Sequence, residues 1–386
     1  MKTGQWFRLL SLRQHLILLL TVAAALGIVL TGFLLQPAPQ KKNGPHFHAG
    51  LSIKQIAPGL GVTGKALARE LKLPLDAPKN KPLRQMNITD DQLARVTGHL
   101  SAHGDTGAKY YFYLAVVLAA VVYLTRLGRP AKADLKQRKA WYPRLPYVLA
   151  LILSVVVAGF YFGKSPNPME GAVKLFKSMV GLYPDPAAKV GAFLFFIVLA
   201  VVGNKVICGW ACPFGALQEL IYSLPLLREK KRRKLPFALT NTIRIGLFLL
   251  MLLLLFGIIG GHRGFVLYHY LNPFNLFDLH FENVIILLTV IVVLAAAFYT
   301  YRPFCRFICP FGLISWLFER ISRYRVRIDR ERCTRCGNCI RACPLNAAQG
   351  RVDGRRLPED CFSCARCLNV CPVDAVRYGS SSGRSR

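Results

Sequence analysis

CTRCGNCIRACP (333–344) and CFSCARCLNVCP (361–372) carry eight of the twelve cysteines of this 386-residue chain. Both follow the spacing C-x2-C-x2-C-x3-C-P. Three thiolates spaced two residues apart can wrap one face of a 4Fe–4S cube, because the short intervening backbone turns its N–H groups toward the sulfurs. The fourth ligand comes from the other motif. One site is therefore expected at Cys333, Cys336, Cys339 and Cys371, the other at Cys361, Cys364, Cys367 and Cys343. Pro344 and Pro372 end the two ligand runs. Structural zinc is the competing reading, but it needs one or two close pairs rather than two complete four-cysteine runs.

Upstream lie CGWACPFG (208–215) and CRFICPFG (305–312). They are internal repeats at a constant offset, 305 − 208 = 97 and 309 − 212 = 97. Each follows an apolar hairpin with Asn-Pro in its connecting loop, Asn167-Pro168 and Asn272-Pro273. Cysteines at i and i+4 share a helix face. Cys208, Cys212, Cys305 and Cys309 together offer four thiolates to a third 4Fe–4S cluster at the membrane surface, with a thiol redox relay or plain buried cysteines as alternatives. Lys205, Arg302 and Arg306 flank them, either as charge compensation or as snorkelling anchors. Arg335, Arg341 and Arg366 lie among the tail cysteines, as compensating charge or as a solvated basic face.

The composition is 53% hydrophobic and 18% charged, with a mean hydropathy of +0.34. Six apolar runs, near 16–35, 110–125, 146–163, 190–207, 243–260 and 284–301, approach the ~20 residues a membrane-crossing helix needs. The first reads as an uncleaved anchor, since its apolar run is long and no small-x-small cleavage site follows. The formal charge is +32. It concentrates in loops: 126–144 holds seven basic residues and one acid, and Lys230-Lys231-Arg232-Arg233-Lys234 follows the fourth run. This positive-inside pattern puts both termini and all cysteines on the cytoplasmic side of a bacterial inner membrane, as a multi-pass protein in contact with lipid. No nucleic-acid motif accompanies the charge, so nucleic acid is not an expected partner.

The expected fold is a mainly α membrane protein of about six transmembrane helices with a C-terminal small α+β two-cluster ferredoxin domain. The domains are an anchor (1–35), a periplasmic small helical module (36–109), the membrane domain with two repeated hairpins (110–320), the cytoplasmic ferredoxin domain (321–378) and a disordered tail (379–386). In the module, Ser52 is expected to cap a helix from Ile53, Thr63 one over 64–73, and Thr89 a third with Asp90 and Asp91 in its first turn. Its helix-turn-helix appearance reads as packing or docking. His262, Arg263 and His269 stand in an aromatic outer segment and form a candidate quinol-binding edge, with histidine taking a proton. An interfacial aromatic belt is the plain alternative.

These combined motifs resemble the NapH/NosR-type membrane ferredoxins over roughly residues 145–378. The resemblance implies electron transfer between the quinol pool or a cytoplasmic donor and a periplasmic acceptor, with other redox subunits of a respiratory or periplasmic reductase as partners. The outer segment lacks the flavin-attachment motif of NosR-type proteins and is an addition to the usual NapH-type chain. A related copper-oxidase assembly family adds a C-terminal β-domain, which is not expected beyond Pro372. An assembly factor and a membrane redox sensor remain alternatives to the electron carrier. No nucleophile–base constellation is present, so one-electron traffic is expected in place of bond-making catalysis.

Overall fold

The structure, a computed structural model, describes residues 47–59, 80–102, 107–127, 145–181, 186–224, 234–259, 264–279, 283–355 and 359–380, with a few isolated positions besides. The expected anchor at 16–35 and the Thr63 cap lie outside the described residues. The chain divides into two compact units, residues 36–108 and the remainder.

In the smaller unit, α1 (Ile53–Gly59) and α2 (Asp90–Ala102) pack around Ile53, Ile56, Leu83 and Leu93. Ser52 N–H and Oγ donate to Gln55 Oε1, and at α2 Thr89 Oγ1 accepts from Gln92 N while Gln92 Oε1 accepts from Thr89 N. The α2 arrangement is a reciprocal capping box, which satisfies backbone donors that a helix start leaves open.

The larger unit is mostly helical. Among the described residues, three helices are long and apolar enough to cross a bilayer: α3 (Gly107–Leu127), α6 (Pro186–Gly203) and α8 (Phe237–Leu255). Two shorter ones accompany them. α4 (Leu145–Leu153) runs on as a π-helical stretch, Ser154–Tyr161, and α10 (Val284–Ala297) has 14 residues. At 1.5 Å per residue α10 is about 21 Å long, short of a ~30 Å hydrocarbon core. α3 buries Tyr113, Val117, Ala120 and Leu124, the i, i+3/i+4 stripe of a helix with one protein-facing side. Outward, Leu249, Leu288, Ile291 and Val292 stay exposed, an apolar belt suited to lipid rather than water.

The connecting segments fold back toward the cysteine motifs. α5 (Pro168–Met179) starts at Asn167, whose side chain accepts from Glu170 N at 2.9 Å. α9 (Leu267–Tyr270) leads to a 3₁₀ turn, Pro273–Asp278, capped by Asn272. α7 (Pro213–Ser223) follows the first C-x3-C-P motif. α11 (Pro303–Phe307) and α12 (Pro310–Phe318) flank the second cysteine of the other. Phe214 of α7 packs against Phe274 of the 3₁₀ turn with ring centroids 5.8 Å apart. The two repeated Asn-Pro signals thus mark capped helix starts in the connecting segments.

The tail is a two-stranded antiparallel sheet, β1 (Tyr324–Ile328) and β2 (Val376–Ser380), enclosing α13 (Asn338–Ala342), α14 (Ala347–Val352) and α15 (Arg366–Asn369). The register pairs Tyr324 with Ser380 and Ile328 with Val376. Tyr324, Val326, Val376 and Tyr378 bury their side chains, following the period-2 alternation of a one-sided sheet. Gly379 and Ser380, expected in a disordered tail, are the end of β2; the pairing with Arg325 and Tyr324 orders them.

Candidate metal centres

In each membrane motif a left-handed cation precedes the first cysteine. Lys205 has φ 60° and Arg302 has φ 47°, and 302 − 205 = 97 makes them repeat equivalents. The second cysteine does not continue the same helix, contrary to the expected shared face. Cys212 and Cys309 are N-caps, with ψ of 118° and 117°, because the following proline pushes its neighbour into extended backbone. Cys212 N–H reaches Ile207 O at 2.8 Å and Cys309 N–H reaches Phe304 O at 3.0 Å, again 97 residues apart. Both thiols therefore stand at the positive end of a new helix, and Gly312 N–H donates to Cys309 Sγ at 3.4 Å. Gln218 Nε2 donates to Cys305 Sγ at 3.6 Å. Cys208 interacts electrostatically with Cys212, Cys305 and Cys309, so the fold brings all four thiols together.

The tail cysteines line two cavities. One is bordered by Cys333, Cys336, Cys339 and Cys371; the other by Cys343, Cys361, Cys364 and Cys367. The fourth cysteine of each motif has crossed to the other cavity, as the spacing leads one to expect. Ala375 N–H donates to Cys371 Sγ at 3.2 Å. Cys339 and Cys367 interact across the two groups. Among the described residues no three metal-ligating groups converge on a single ion. Four thiols bordering each cavity are the donor set of a 4Fe–4S cube.

Between the membrane motifs and the tail lies a buried ion network. Lys205 and Arg302 are 0% exposed, so they are structural cations and not snorkelling anchors. Lys205 pairs with Glu319 at 3.0 Å, beyond the second motif, and with Asp360. Arg302 pairs with Glu219 at 2.9 Å, beyond the first motif. Each repeat's cation is thus held by the other repeat's carboxylate. Arg302 also donates to the Cys208 carbonyl and to Gly209 O at 2.8 Å, while Arg244 donates to Cys305 O at 3.1 Å and pairs with Asp360 at 3.1 Å. Arg366 of the tail joins Glu219 at 2.5 Å. Burial pushes the Asp360 carboxyl up, but Lys205 and Arg244 outweigh it and hold the group below its ordinary value. Five buried cations (Lys205, Arg244, Arg302, Arg306, Arg366) face three buried carboxylates (Glu219, Glu319, Asp360), an excess of 5 − 3 = 2. Buried charge of one sign calls for a partner of the other, and four thiolates around a cube supply it. The residues fit the group.

The second tail motif is seated on the first membrane motif. A Cβ on Gly209 would stand 2.0 Å from Phe362 O. Trp210 Nε1 donates to Ser363 O at 3.0 Å, Ser363 Oγ to Asn204 O at 3.0 Å, and Asn204 Nδ2 to Cys361 O at 3.3 Å. Phe362 lies between Lys205 and Arg302, 5.4 and 5.1 Å from its ring. Nothing in the sequence pattern announced this seat or the crossed ion pairs, although the 97-residue offset applied to Lys205 finds Arg302.

His262 and Arg263 lie outside the described residues. His269 lines a pocket with Glu170, Val173, Lys174, Lys177, Tyr268 and Asn272, and its Nε2 is 3.3 Å from Lys177 Nζ. Tyr268, 1% exposed, has no hydrogen-bond partner for its hydroxyl among the described residues and interacts electrostatically with Cys309. Tyr268 of this pocket is thus within electrostatic range of Cys309, nearer than their places on opposite ends of apolar runs implied.

Three family models match. A 4Fe-4S binding domain covers residues 187–234, and two 4Fe-4S dicluster domains cover 303–347 and 326–378. The methylamine utilization ferredoxin-type protein MauN of Methylorubrum extorquens is 31% identical over 56% of this chain and 78% of its own length. The ferredoxin-type protein NapH of Haemophilus influenzae is 28% identical over 42% of this chain and 55% of its own. The regulatory protein NosR of Pseudomonas aeruginosa is 29% identical over 40% of this chain and 22% of its own. No solved structure matches the chain.

Proposed function

We propose, for a chain that belongs to the ferredoxin-type membrane proteins of the MauN, NapH and NosR kind, a membrane-to-tail electron path supported by three four-cysteine groups. The family makes it a membrane-associated 4Fe–4S protein of electron transfer. The carrying observation is the crosswise sorting of the eight tail cysteines into two cavities, with the loop of one seated on Gly209 and Trp210 of the membrane motif.

Bound cubes supply one-electron exchange without making or breaking bonds. On this reading Cys208, Cys212, Cys305 and Cys309 hold one cube, Cys343, Cys361, Cys364 and Cys367 the next, and Cys333, Cys336, Cys339 and Cys371 the outermost. The crossed pairs Lys205–Glu319 and Arg302–Glu219 fix the two hairpins against each other, and Asp360 and Arg366 fix the tail on them. Rigid mounting matters because electron exchange falls steeply with separation. Tyr268, His269 and Glu170 line the pocket for quinol, with His269 accepting a proton as quinol is oxidised. On this reading the chain crosses the inner membrane several times with its cysteines on the cytoplasmic side, and a respiratory or periplasmic reductase is the partner system.

The test is iron and acid-labile sulfide analysis with EPR on anaerobically purified protein. About twelve irons per chain supports three cubes; about eight removes the one at the membrane motifs, and iron-free material overturns the reading. Quinol oxidation in His262→Ala and His269→Ala tests the pocket, and unchanged rates in both refute that part.

A further inference from the structure

The two tail sites differ in what surrounds them. The group with Cys361 and Cys364 is enclosed by the membrane unit: Glu219 reaches Arg366, Glu319 accepts from Cys361 N at 3.1 Å, and Trp210 caps Ser363. Beside the group with Cys333, Lys234 donates to Ile340 O at 2.6 Å, and Cys336 is exposed. Around it Arg330, Arg332, Arg335 and Arg341 are all exposed. Arg335 sits in the left-handed region at φ 53°, and Arg341 is folded back on Cys336 O at 3.2 Å. Beside them a depression of about 310 Å³ is lined by Ile328, Arg330, Cys333, Arg335, Val352 and Asp353.

The acids nearby do not cancel this charge. Asp329 is engaged by Arg332 at 3.7 Å and by the backbone N–H groups of Glu331 and Arg332. Asp353 is engaged by Arg355 at 3.6 Å. Exposed cations Arg330, Arg332, Arg335, Arg341 and Arg355 against Asp329, Glu331 and Asp353 leave 5 − 3 = +2 on the face. Half-buried Arg325 and Arg327 on β1, and Arg377 opposite Arg327 on β2, add to the same sign. Across residues 321–380 the sequence has twelve basic residues and six acids, 12 − 6 = +6.

We propose that this arginine-rimmed end of the tail docks an acidic, soluble one-electron carrier protein. The inference rests on the electron-transfer reading above and adds the partner to it. The charge sign selects the partner: a carrier whose own redox centre is ringed by Asp and Glu is steered to the face, raising its on-rate by roughly 10–10³-fold at low salt. Exposure of Cys336 puts the docked carrier next to the outermost thiols. One electron passes between carrier and tail; the carrier loses one as the tail gains one, and no bond changes. Arg330 and Arg332 lie outside the cysteine spacing, so they serve docking rather than ligation.

The experiment uses the full chain, iron-loaded, in neutral-lipid nanodiscs, with a purified acidic plant-type ferredoxin as the probe and a basic c-type cytochrome as its control. Association is measured by thermophoresis at low and high ionic strength, and electron exchange by stopped flow. Wild type should bind the acidic probe, lose most of that binding at high salt, and ignore the cytochrome. Arg330→Glu/Arg332→Glu should bind at least about tenfold more weakly at low salt, with iron content and reduction by dithionite unchanged. Arg330→Lys/Arg332→Lys should keep wild-type affinity. The proposal is overturned if wild type fails to bind the ferredoxin, or if the reversed variant binds equally well. It is also overturned if the reversal matters only for association with nanodiscs containing anionic phosphatidylglycerol, which would make the face a lipid contact. Absence of iron would refute the electron-transfer reading itself; iron present without probe binding refutes docking alone.

Discussion

Gly209→Ala tests the seating of the tail on the membrane motif. The added Cβ would stand 2.0 Å from Phe362 O and 3.1 Å from its carbonyl carbon. An ordinary C···O approach is about 3.3 Å, so the Phe362 loop must retreat by about 1.3 Å. The obstruction is backbone on both sides, in a π turn and a loop held by three side-chain hydrogen bonds. Overpacking of this kind costs about 1–3 kcal/mol, and each hydrogen bond lost from the seat adds about 0.5–1.5 kcal/mol. With one or two of the three broken, the docked state weakens by about 1.5–6 kcal/mol, a shift of about tenfold to about 20,000-fold in the local opening equilibrium at 1.4 kcal/mol per decade. Hydrogen–deuterium exchange on peptides covering 359–371 of the detergent-solubilised, iron-loaded chain reads that equilibrium. The control is Gly191→Ala in α6, where a Cβ meets nothing within 4 Å. That change should leave the loop untouched and stabilise the helix by up to about 1 kcal/mol. Exchange in Gly209→Ala within threefold of wild type would refute the seating.

Glu219→Ala leaves Arg302 and Arg366 without their shared carboxylate in a dry site; the expected loss is about 3–5 kcal/mol, read as faster bleaching of the cluster absorbance on heating, whereas Lys174→Gln, removing a part-exposed pair with Glu170, should cost under about 1 kcal/mol. Cys371→Ser should remove the EPR signal of the Cys333 group and Cys343→Ser that of the Cys361 group; loss of the same signal in both variants would refute the crossed assignment. Burial alone would raise the Asp360 and Glu219 carboxyls, but Lys205 and Arg244 hold the first, and Arg366 and Arg302 the second, below their ordinary values of 3.8 and 4.5. Such groups stabilise the fold fully above those ordinary values and lose the contribution as pH falls through the lower folded ones. Unfolding midpoints of the detergent-solubilised chain should therefore show a shallower acid-side fall in Asp360→Asn than in wild type, and an identical fall would contradict the depressed value.

The grouping of the tail cysteines and the repeat were legible in the chain. Cysteine spacing is a local constraint: the distance between ligands along the chain decides which can wrap one cube, so the crossed grouping was readable before any fold. The 97-residue offset was readable for the same reason, since duplicated hairpins keep their register. Helix ends were less legible. The run expected to 207 stops at Gly203 because Asn204 and Lys205 turn left-handed, and the run expected to 301 gives way at Ala297, ahead of left-handed Arg302 and Pro303. Apolar periodicity carries no mark of those turns.

Tertiary structure alone decided how charge is handled. Lys205, Arg302 and Glu219 look like ordinary membrane-edge residues in the sequence, and whether a lysine snorkels or is buried depends on a carboxylate more than a hundred residues away. It also decided distance. The fold brings Tyr268 within electrostatic range of Cys309, and Gly209 admits the Phe362 carbonyl, because packing sums contacts from segments far apart in the chain. Ligand spacing is written along one dimension; burial and proximity exist only in three.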